Sequence, residues 1–319
     1  MEKCLVTGGA GFIGSHIVEE LVKRRYKVRV LDNFSTGNRN NLSQVLKEIE
    51  VIEGDLRDLA TVQRAMTGVS YVFHVGAVRA VARSVDDPIE TTETNVNGTL
   101  HVLLAARDQG ARRVVYSSSS SVYGDAEKFP LCEEDQPNPL SPYAASKLMG
   151  EYYGRIFSQL YGLETVCLRY FNVFGPRQNP ESKYSTVIPI FMASLLNNEP
   201  PEIHWDGKQA RDFTYVDNVV HANMLAIRMK EAQGEVFNIA CQEEHSILDI
   251  FKLLGQILGK DSIKPLFRPK RPGDVRRTLA DISKAKERLG FSVQTRFRPG
   301  LERTVQWFAG SSLMHSVER

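Results

Sequence analysis

Directly after a short apolar segment, the chain carries a run of glycines that few folds accommodate. Cys4–Thr7 has the composition of a buried strand, and the turn after it reads Gly8-Gly9-Ala10-Gly11-Phe12-Ile13-Gly14. The spacing Gly9-x-Gly11-x-x-Gly14 opens a stretch of helical period. Glycines let a backbone turn tightly and approach a diphosphate, which the N–H groups of a helix N-terminus attract. The pattern predicts a strand, turn and helix that hold a dinucleotide.

Short β-branched runs alternate with longer amphipathic stretches through the first half of the chain. The predicted strands are Cys4–Thr7, Lys27–Leu31, Val51–Glu53, Tyr71–Val75, Arg113–Ser117 and Thr165–Tyr170. The predicted helices are Gly11–Arg24, Leu59–Met66, Pro88–Gln109 and Tyr143–Tyr161. This alternation is typical of a parallel sheet covered by helices. With 319 residues, 42% of them hydrophobic, the chain can bury a full core, and we predict a Rossmann-type doubly wound α/β fold.

After Phe171 the alternation breaks down. Prolines at positions 176, 180, 189, 200 and 201 interrupt it, and only short helices are predicted between them, such as Ile188–Asn197 and Val216–Met229, with a tail helix at Leu301–Phe308. We predict a dinucleotide-binding domain over residues 1–171, with 213–240 partly returning to its sheet. A smaller, discontinuous α/β lobe over 172–212 and 241–319 would bind the substrate.

An acidic residue at the end of the second predicted strand indicates which dinucleotide binds. Asp32 follows Gly14 by 18 residues, where a carboxylate can accept hydrogen bonds from both ribose hydroxyls and repel a 2′-phosphate. The next residues, 33–37, include no arginine, so NAD is favoured over NADP. Asp55 and Leu56, after the third strand, are weaker candidates, since Asp55 could equally be the N-cap of the helix Leu59–Met66.

A tyrosine and a lysine one helical turn apart form the candidate catalytic pair. Tyr143 and Lys147 share one face of a predicted helix, so the ammonium can stabilise a phenolate that would not form in water at neutral pH. The serines Ser117–Ser121 end the fifth strand at the carboxyl edge of the sheet, where doubly wound folds bind ligands. A serine hydroxyl there can bind a substrate oxygen near Tyr143.

These residues resemble a known family, the NAD-dependent extended short-chain dehydrogenases/reductases that modify nucleotide sugars, and within it the UDP-hexose 4-epimerases. The resemblance covers nearly the whole chain. One departure is Gly76, where the family usually has alanine, and we expect little effect from it. Besides the glycine turn, the matching segments are Phe73-His74-x-x-Ala77, Thr94-Asn95-Val96-x-Gly98-Thr99, Ser119 to Gly124, Ser141-Pro142-Tyr143, Leu168-Arg169-Tyr170-Phe171-Asn172-Val173, Arg211-Asp212-Phe213, Val236-Phe237-Asn238-Ile239 and Arg271-Pro272-Gly273-Asp274.

The resemblance implies roles for individual residues. Ser119 would bind the sugar O4, Tyr143 would take its proton and Lys147 would hold the nicotinamide ribose. The implied NAD-binding residues are Gly8, Gly11, Phe12, Ile13, Asp32, Asn33, Ser35, Thr36, Gly37, Asp55, Leu56, Ala77, Asn95, Ser117, Tyr143, Lys147 and Tyr170. The implied substrate-binding residues are Arg79, Ser119, Asn172, Val187, Arg211, Arg271, Asp274 and Thr278. Two arginines suit a diphosphate because their planar forks match phosphate oxygens.

The implied reaction is a 4-epimerisation through a transient 4-keto sugar. Dehydratases and decarboxylases of the family carry acidic residues where this chain has Ser120 and Ser121, which counts against both. In the epimerases the residue at Thr278 is taken as a gate on the sugar C2 substituent, and a small gate admits N-acetylated sugars. UDP-GlcNAc/UDP-GalNAc and UDP-Glc/UDP-Gal are therefore both open. The alternatives are a UDP-glucuronate 4-epimerase, another dehydratase or reductase of the family, and a non-enzymatic NAD-binding regulator.

Net charge and cysteine content limit which partners the protein is expected to bind and which compartment it is expected to occupy. A net charge of +2 gives no reason to expect nucleic acid binding. The four cysteines show no metal-site spacing, and we expect no metal and no disulfide framework. The chain shows no apolar run long enough for a membrane span and no signal-peptide pattern, so we expect a cytoplasmic protein. The family resemblance implies a homodimer formed through the helices Pro88–Gln109 and Tyr143–Tyr161.

Overall fold

The computed structural model describes residues 1–79, 81–179, 186–229, 232–270 and 275–310. Its strands are β1 (Lys3–Thr7), β2 (Lys27–Asp32), β3 (Ile49–Glu53), β4 (Tyr71–His74), β5 (Arg113–Ser119), β6 (Glu164–Tyr170), β7 (Val173–Phe174), β8 (Glu202–His204), β9 (Ala210–Asp212), β10 (Thr214–Tyr215), β11 (Glu235–Ile239), β12 (Glu244–Ser246), β13 (Leu266–Arg268) and β14 (Arg277–Thr278). Its α-helices are α1 (Phe12–Lys23), α2 (Leu59–Met66), α3 (Val81–Asp86), α4 (Pro88–Thr92), α5 (Gly98–Asp108), α6 (Pro142–Tyr161), α7 (Val187–Leu196), α8 (Val216–Ala226), α9 (Ile247–Leu258) and α10 (Phe297–Gly310).

A seven-stranded parallel sheet organises the fold. Its strand order is β11-β6-β5-β4-β1-β2-β3, so the chain runs outward from β1 in one direction and then returns to the other side. The crossover beside β1 places the carboxyl ends of β1 and β4 next to each other, the position at which such sheets bind ligands. The predicted doubly wound α/β fold is confirmed.

Both faces of the sheet are covered, as the apolar strands require. On β2, Val28 and Val30 pack into a core shared with α1 and α8. Leu31, which follows Val30 on the strand, points to the opposite face, into a core shared with α2, α5 and α6. Since successive strand residues alternate between faces, one short apolar strand supplies both cores.

The last sheet strand comes from late in the chain. β11 pairs with β6 from Glu235↔Val166 to Ile239↔Tyr170, so the predicted region 213–240 contributes a strand to the large sheet. Around it lie small sheets, β12-β9-β14 and β13-β8. A separate core rich in aromatic side chains packs β7, β8 and β10 against α7, α9 and α10, with Phe174, Phe191, Phe213, Phe251 and Phe297 among its members. The lobe bounds of 172–212 and 241–319 stay a prediction.

Two helix predictions were wrong in detail. The stretch predicted as one helix from Pro88 to Gln109 is α4, a π-helical turn at Glu93–Asn97, and α5. The wide turn brings Asn95 inward to bind backbone, which a regular helix would not do. The helix predicted over Val216–Met229 ends at Ala226. No helix within the described ranges is long and apolar enough to span a membrane.

Candidate active site

The glycine turn between β1 and α1 has no room for side chains. Gly8 has a φ of +66°, and a methyl group on it would lie 2.6 Å from the Cα of Gly76. A methyl group on Gly14 would lie 2.1 Å from the carbonyl oxygen of Gly8. The family departure at Gly76 is milder, since a methyl group there would lie 3.1 Å from the Gly8 nitrogen. Gly11 caps α1 without a side-chain hydrogen bond, so the first-turn N–H groups are left for a ligand.

A cavity of about 340 Å³ lies over this turn, within the size range of small-molecule sites. It extends from the end of β2 to the end of β5. Seventeen of the predicted residues line it: Gly8, Gly11, Phe12, Ile13, Asp32, Asn33, Ser35, Thr36, Gly37, Asp55, Leu56, Ala77, Arg79, Ser117, Tyr143, Lys147 and Tyr170. Most of the predicted dinucleotide-binding residues and two of the predicted catalytic residues, Tyr143 and Lys147, therefore meet in one cavity, whereas Ser119 and Asn95 do not line it.

Asp32 ends β2 with its carboxylate buried beside the turn. Its Oδ2 accepts a hydrogen bond from the Ala10 N–H at 2.9 Å, and its Oδ1 accepts one from the Phe34 N–H at 2.8 Å. Burial raises the pKa of Asp32, while these two hydrogen bonds oppose the rise. The carboxylate thus fixes the turn as well as lining the cavity, where it can accept from ribose hydroxyls.

Asp55 lines the cavity and does not cap α2. The N-cap of α2 is Asp58, which accepts from the Ala60 N–H. Asp55 instead accepts from Asn33 Nδ2 at 3.0 Å and pairs with Arg57, whose hydrogen bonds hold the pKa of Asp55 well below its usual range. With Asp32, this gives the adenosine end of the cavity two carboxylates, which suit ribose hydroxyls and oppose a 2′-phosphate.

The catalytic pair occupies the first turns of α6, at the other end of the cavity. Ser141 caps this helix by accepting from the Ala144 N–H at 3.1 Å, and Pro142 occupies the first turn. Tyr143 and Lys147 thereby face the end of β5. The Ser119 hydroxyl lies close enough to the Tyr143 phenol to lower its pKa, and Lys147 Nζ donates to the Ser117 carbonyl at 2.8 Å. The three residues predicted as catalytic come together as expected.

Burial and nearby charges set the pKa values of Tyr143 and Lys147. Burial raises the pKa of Tyr143, while the hydrogen bond with Ser119 and the positive charge of Arg79 lower it. Burial lowers the pKa of Lys147 to about 8, and the negative charge of Glu151 opposes that shift. Lys147 Nζ lies 5.8 Å from the centre of the Tyr143 ring. A cation thus sits beside the phenol, and its protonation is poised close to neutral pH.

Tyr170 and Ser117 form the wall between the catalytic pair and the sheet. The Tyr170 hydroxyl lies 3.1 Å from Ser117 Oγ and accepts from Asn223 Nδ2 at 2.8 Å. Burial raises the pKa of Tyr170 to about 12, so its hydroxyl stays protonated near neutral pH. Both side chains line the cavity, as predicted for cofactor contacts.

Asn95 is buried behind the cavity wall. Its Oδ1 accepts from the Val78 N–H at 2.7 Å, and its Nδ2 donates to the Val78 carbonyl at 2.9 Å. The same amide donates to Ser146 Oγ at 3.0 Å, and that hydroxyl donates to the Tyr143 carbonyl. Asn95 therefore supports the wall formed by Val78 and ties it to α6, and its predicted contact with the cofactor stays a prediction.

The residues predicted to bind the sugar nucleotide are spread over the smaller sheets. Asn172 Nδ2 donates to Thr278 Oγ1 at 3.2 Å and to the Asp212 carbonyl at 3.0 Å. Arg211 Nη2 donates to the Val275 carbonyl at 2.6 Å. Val187 is partly buried at the start of α7. Arg271 and Asp274 lie outside the described residues.

Sequence reasoning missed a buried ion pair beneath the catalytic residues. Arg169 donates to both carboxylate oxygens of Glu151, at 2.9 and 2.8 Å. Two signals were available. Glu151 follows Lys147 by one helical turn, and Arg169 interrupts an otherwise apolar strand, where a buried charge needs a partner.

Three features of this structure indicate that the cavity fits NAD. The turn excludes side chains where a diphosphate would lie, α1 presents uncapped N–H groups, and Asp32 faces the ribose position. As for metals, no group of three His, Cys, Asp or Glu side chains suited to holding an ion occurs among the residues that the structure describes.

Comparison with known proteins gives a consistent result. A sequence model of the NAD dependent epimerase/dehydratase family matches residues 4–240. A Methanocaldococcus jannaschii protein described as a putative UDP-glucose 4-epimerase is 38% identical over 310 residues, covering 97% of this chain and 99% of that protein.

Solved structures agree with the sequence comparison. A Thermotoga maritima UDP-glucose 4-epimerase with UDP-glucose superposes with a TM-score of 0.92 at 39% identity, covering 96% of this chain and 98% of that chain. A Methanobrevibacter ruminantium UDP-N-acetylglucosamine 4-epimerase, in complex with UDP-N-acetylmuramic acid, superposes with a TM-score of 0.92 at 39% identity, covering 97% and 98%. The predicted resemblance is confirmed.

Proposed function

The chain belongs to the NAD dependent epimerase/dehydratase family, and from that premise we propose that it is an NAD-dependent 4-epimerase of UDP-hexoses. The observation that carries the proposal is the meeting of Ser119, Tyr143 and Lys147 beside a cavity built for NAD. The physiological pair would be UDP-GlcNAc/UDP-GalNAc, UDP-Glc/UDP-Gal or both. Incubation of the purified protein with each UDP-sugar in the absence of reductant, with the products resolved by proton NMR, tests the proposal.

The chain's own residues supply the proton chemistry. Tyr143, as phenolate, takes the proton from the sugar O4, and Ser119 holds that oxygen through its hydroxyl. Lys147 stabilises the phenolate because its ammonium lies beside the ring. When bound, NAD supplies the hydride acceptor and, for the return step, the hydride donor. The 4-keto sugar formed in between turns its other face to the site, and Tyr143 then gives the proton back to O4.

The neighbourhood of Ser119 favours epimerisation over elimination. Elimination or decarboxylation needs a further acid or base close to the sugar ring. Ser120 and Ser121 occupy the short helix after β5, where the dehydratases carry acids. Of the nearby carboxylates, Glu133 accepts from the Asn238 N–H, and Glu151 is buried with Arg169. Both carboxylates are thus engaged with other groups of the protein.

Thr278 is the residue that we propose as the specificity gate. It is 8% exposed, and its hydroxyl accepts from Asn172. We expect Thr278→Tyr to lower kcat/KM for UDP-GlcNAc and UDP-GalNAc by roughly tenfold more than for UDP-Glc and UDP-Gal, because overfilling a packed site costs about 1–3 kcal/mol. Steady-state kinetics on the four substrates measures this.

The matched control for the gate is Thr278→Val. It keeps the side-chain volume but removes the hydroxyl that Asn172 binds, so it separates volume from hydrogen bonding. We expect it to lower all four rates to a similar extent. An equal loss on both sugar pairs with Thr278→Tyr would rule out the gate.

We further propose a homodimer formed through α6. Met149, Tyr152, Ile156 and Leu160 recur at helical spacing along its outer face, and they are 43%, 49%, 42% and 72% exposed. An apolar stripe of this kind on one helix marks an interaction surface. Ile89, which is 70% exposed on the adjacent α4, extends it. The occupant that fits is the same face of a second copy, since a two-fold axis pairs a surface with itself.

Ile156→Glu tests the dimer, because it places a charge in the centre of the stripe. We expect the mass in solution, measured by light scattering, to fall from that of a dimer to that of a monomer. Gln256→Glu, which adds the same charge on the exposed face of α9, serves as the control and leaves the mass unchanged. A wild-type monomer, or a variant that stays dimeric, contradicts the proposal.

The cytoplasm is the compartment that we infer for this protein. All four cysteines are free, and Cys4, Cys167 and Cys241 are buried. Burial raises the pKa of the Cys4 and Cys241 thiols to about 12, so they stay protonated and unreactive. Unpaired thiols suit a reducing environment.

A further inference from the structure

Three consecutive residues at the end of β5 each meet a different residue of α6. The Ser117 carbonyl accepts from Lys147, Ser118 Oγ donates to Glu151 Oε1 at 2.5 Å, and the Ser119 hydroxyl lies close enough to Tyr143 to lower its pKa. On the helix these partners are spaced at i, i+4 and i+8, which places them along one face. On the strand, Ser118 lies between the two residues that meet the catalytic pair, and on the helix its partner Glu151 lies one turn beyond Lys147.

Glu151 is held from two sides. Besides Ser118, it receives the bidentate pair from Arg169 on the neighbouring strand β6, and both charged side chains are nearly inaccessible, at 3% and 4% exposed. Ser118 and Arg169 stand opposite each other in the β5–β6 register. The carboxylate therefore joins α6 to two sheet strands at one point.

The network continues away from the cavity. Arg169 Nη1 donates to the Tyr123 hydroxyl at 2.8 Å, and that hydroxyl donates to Asn238 Oδ1 on β11 at 2.7 Å. Tyr123 ends the short helix that begins directly after Ser119. The segment carrying the catalytic serine is thus anchored to the same buried arginine as the catalytic helix.

We infer that Glu151 is a positioning residue for catalysis: with Ser118 and Arg169 it sets the register between α6 and β5 that brings Tyr143 to Ser119 and Lys147 to the Ser117 carbonyl. This inference rests on the proposed function, because the register matters for catalysis only if Tyr143 and Lys147 are catalytic. Bidentate arginine–carboxylate pairs are geometrically strict, so this contact fixes rotation and sliding of the helix together. A misplacement of about 1 Å in such a site costs about a hundredfold in rate.

The negative charge of Glu151 also supports catalysis, through its effect on the pKa of Lys147. It opposes the effect of burial on Lys147, whose pKa is lowered to about 8. Without that negative charge, Lys147 loses its proton at a lower pH, and the phenolate of Tyr143 loses its stabilising cation. Tyr143 then ionises at a higher pH, so the acid limb of the rate profile moves to higher pH.

The test compares Glu151→Gln with Glu164→Gln in the purified, NAD-loaded protein. Glu164 pairs with Arg113 between the same two strands, at their opposite ends, with Arg113 3% exposed. Each variant removes the carboxylate partner of one buried arginine: Glu151 of α6 pairs with Arg169 of β6, and Glu164 of β6 pairs with Arg113 of β5. We measure kcat, KM and the pH dependence of tyrosinate absorbance, with Tyr143→Phe as the blank.

We expect Glu151→Gln to lower kcat about 10–100-fold with KM changed less than about threefold, and to raise the pH of Tyr143 ionisation. Glu164→Gln is expected to leave kcat and the pH of Tyr143 ionisation unchanged, even if it lowers the melting temperature. A folded Glu151→Gln protein with wild-type kcat and wild-type tyrosinate titration overturns the inference. So does an equal effect of the two variants.

If Glu151→Gln does not fold, the double variant Glu151→Met/Arg169→Met replaces it. Removing both charges leaves no unpaired buried ion, which is the usual cause of such failures. The fall in kcat is expected again because the register contact is lost, whereas the tyrosinate titration shifts less because the two lost charges have opposite signs; an unchanged kcat contradicts the inference. Because this titration needs no sugar, a wild-type protein that epimerises nothing refutes the proposed function while still leaving the positioning of Tyr143 measurable.

Discussion

Replacing Tyr143 with phenylalanine lowers kcat by roughly 10²–10⁴-fold, the range for loss of a general acid–base group. The ring still fills its place in α6, so the fold and the cavity persist; only the hydroxyl that meets Ser119 is gone. The dissociation constant for UDP-sugar, measured by calorimetry, stays within about threefold, since the proton acceptor contributes to the transition state and little to ground-state binding.

The matched control is Tyr153→Phe. Tyr153 lies on the same helix and packs against the core beneath α6, away from the cavity. The same atom is removed, yet kcat is expected to stay near the wild-type value. A Tyr143→Phe variant that retains more than about a tenth of the wild-type kcat would remove Tyr143 from its catalytic role.

The second large effect is expected from Gly14→Ala. The new methyl group would lie 2.1 Å from the Gly8 carbonyl oxygen, which is backbone and cannot move without opening the turn. Opening it separates the diphosphate from the first-turn N–H groups of α1. We expect the NAD dissociation constant to rise roughly a hundredfold, as for two lost charge-assisted hydrogen bonds of ~1.5 kcal/mol each.

Gly255→Ala is the control for the turn. In α9 the added methyl group would meet its nearest heavy atom, in Asp261, at 3.7 Å, an ordinary contact. Alanine favours a helix over glycine by about 1 kcal/mol, so the control should bind NAD normally and melt no lower than wild type. Titration of the cofactor-free proteins with NAD, together with thermal melting, separates lost binding from lost folding. Wild-type affinity in a folded Gly14→Ala protein would contradict the role of the turn.

The sequence was most informative where one local rule decides the structure. The helix Leu59–Met66 was predicted to the residue, and the β5 prediction of Arg113–Ser117 was short by two residues. The glycine turn, Asp32 and the pair Tyr143 and Lys147 were found because strand ends, turns and the i to i+4 spacing are local properties. Apolar alternation on β2 likewise fixes which residues face which core.

What the sequence could not show depends on contacts between distant segments. In the π-helical turn at Glu93–Asn97, Asn95 binds the backbone of Val78, and no residue pattern predicts that pairing. The N-cap of α2 is Asp58, which directly precedes Leu59 and accepts from the Ala60 N–H, a local signal that was available in the sequence. Asp55 instead pairs with Arg57 and with Asn33, and only the contact with Asn33 joins distant segments.

The central claim is that this protein interconverts UDP-sugars at C4 without net consumption of cofactor. The most direct test is to incubate the purified protein separately with UDP-Glc, UDP-Gal, UDP-GlcNAc, UDP-GalNAc and UDP-glucuronate, with no reductant, and to resolve products by proton NMR. We predict that UDP-Glc/UDP-Gal, UDP-GlcNAc/UDP-GalNAc or both reach an equilibrium mixture from either member, with total NADH unchanged. Conversion of UDP-glucuronate alone would contradict the proposed substrates, and no conversion without added reductant would contradict the 4-epimerase itself.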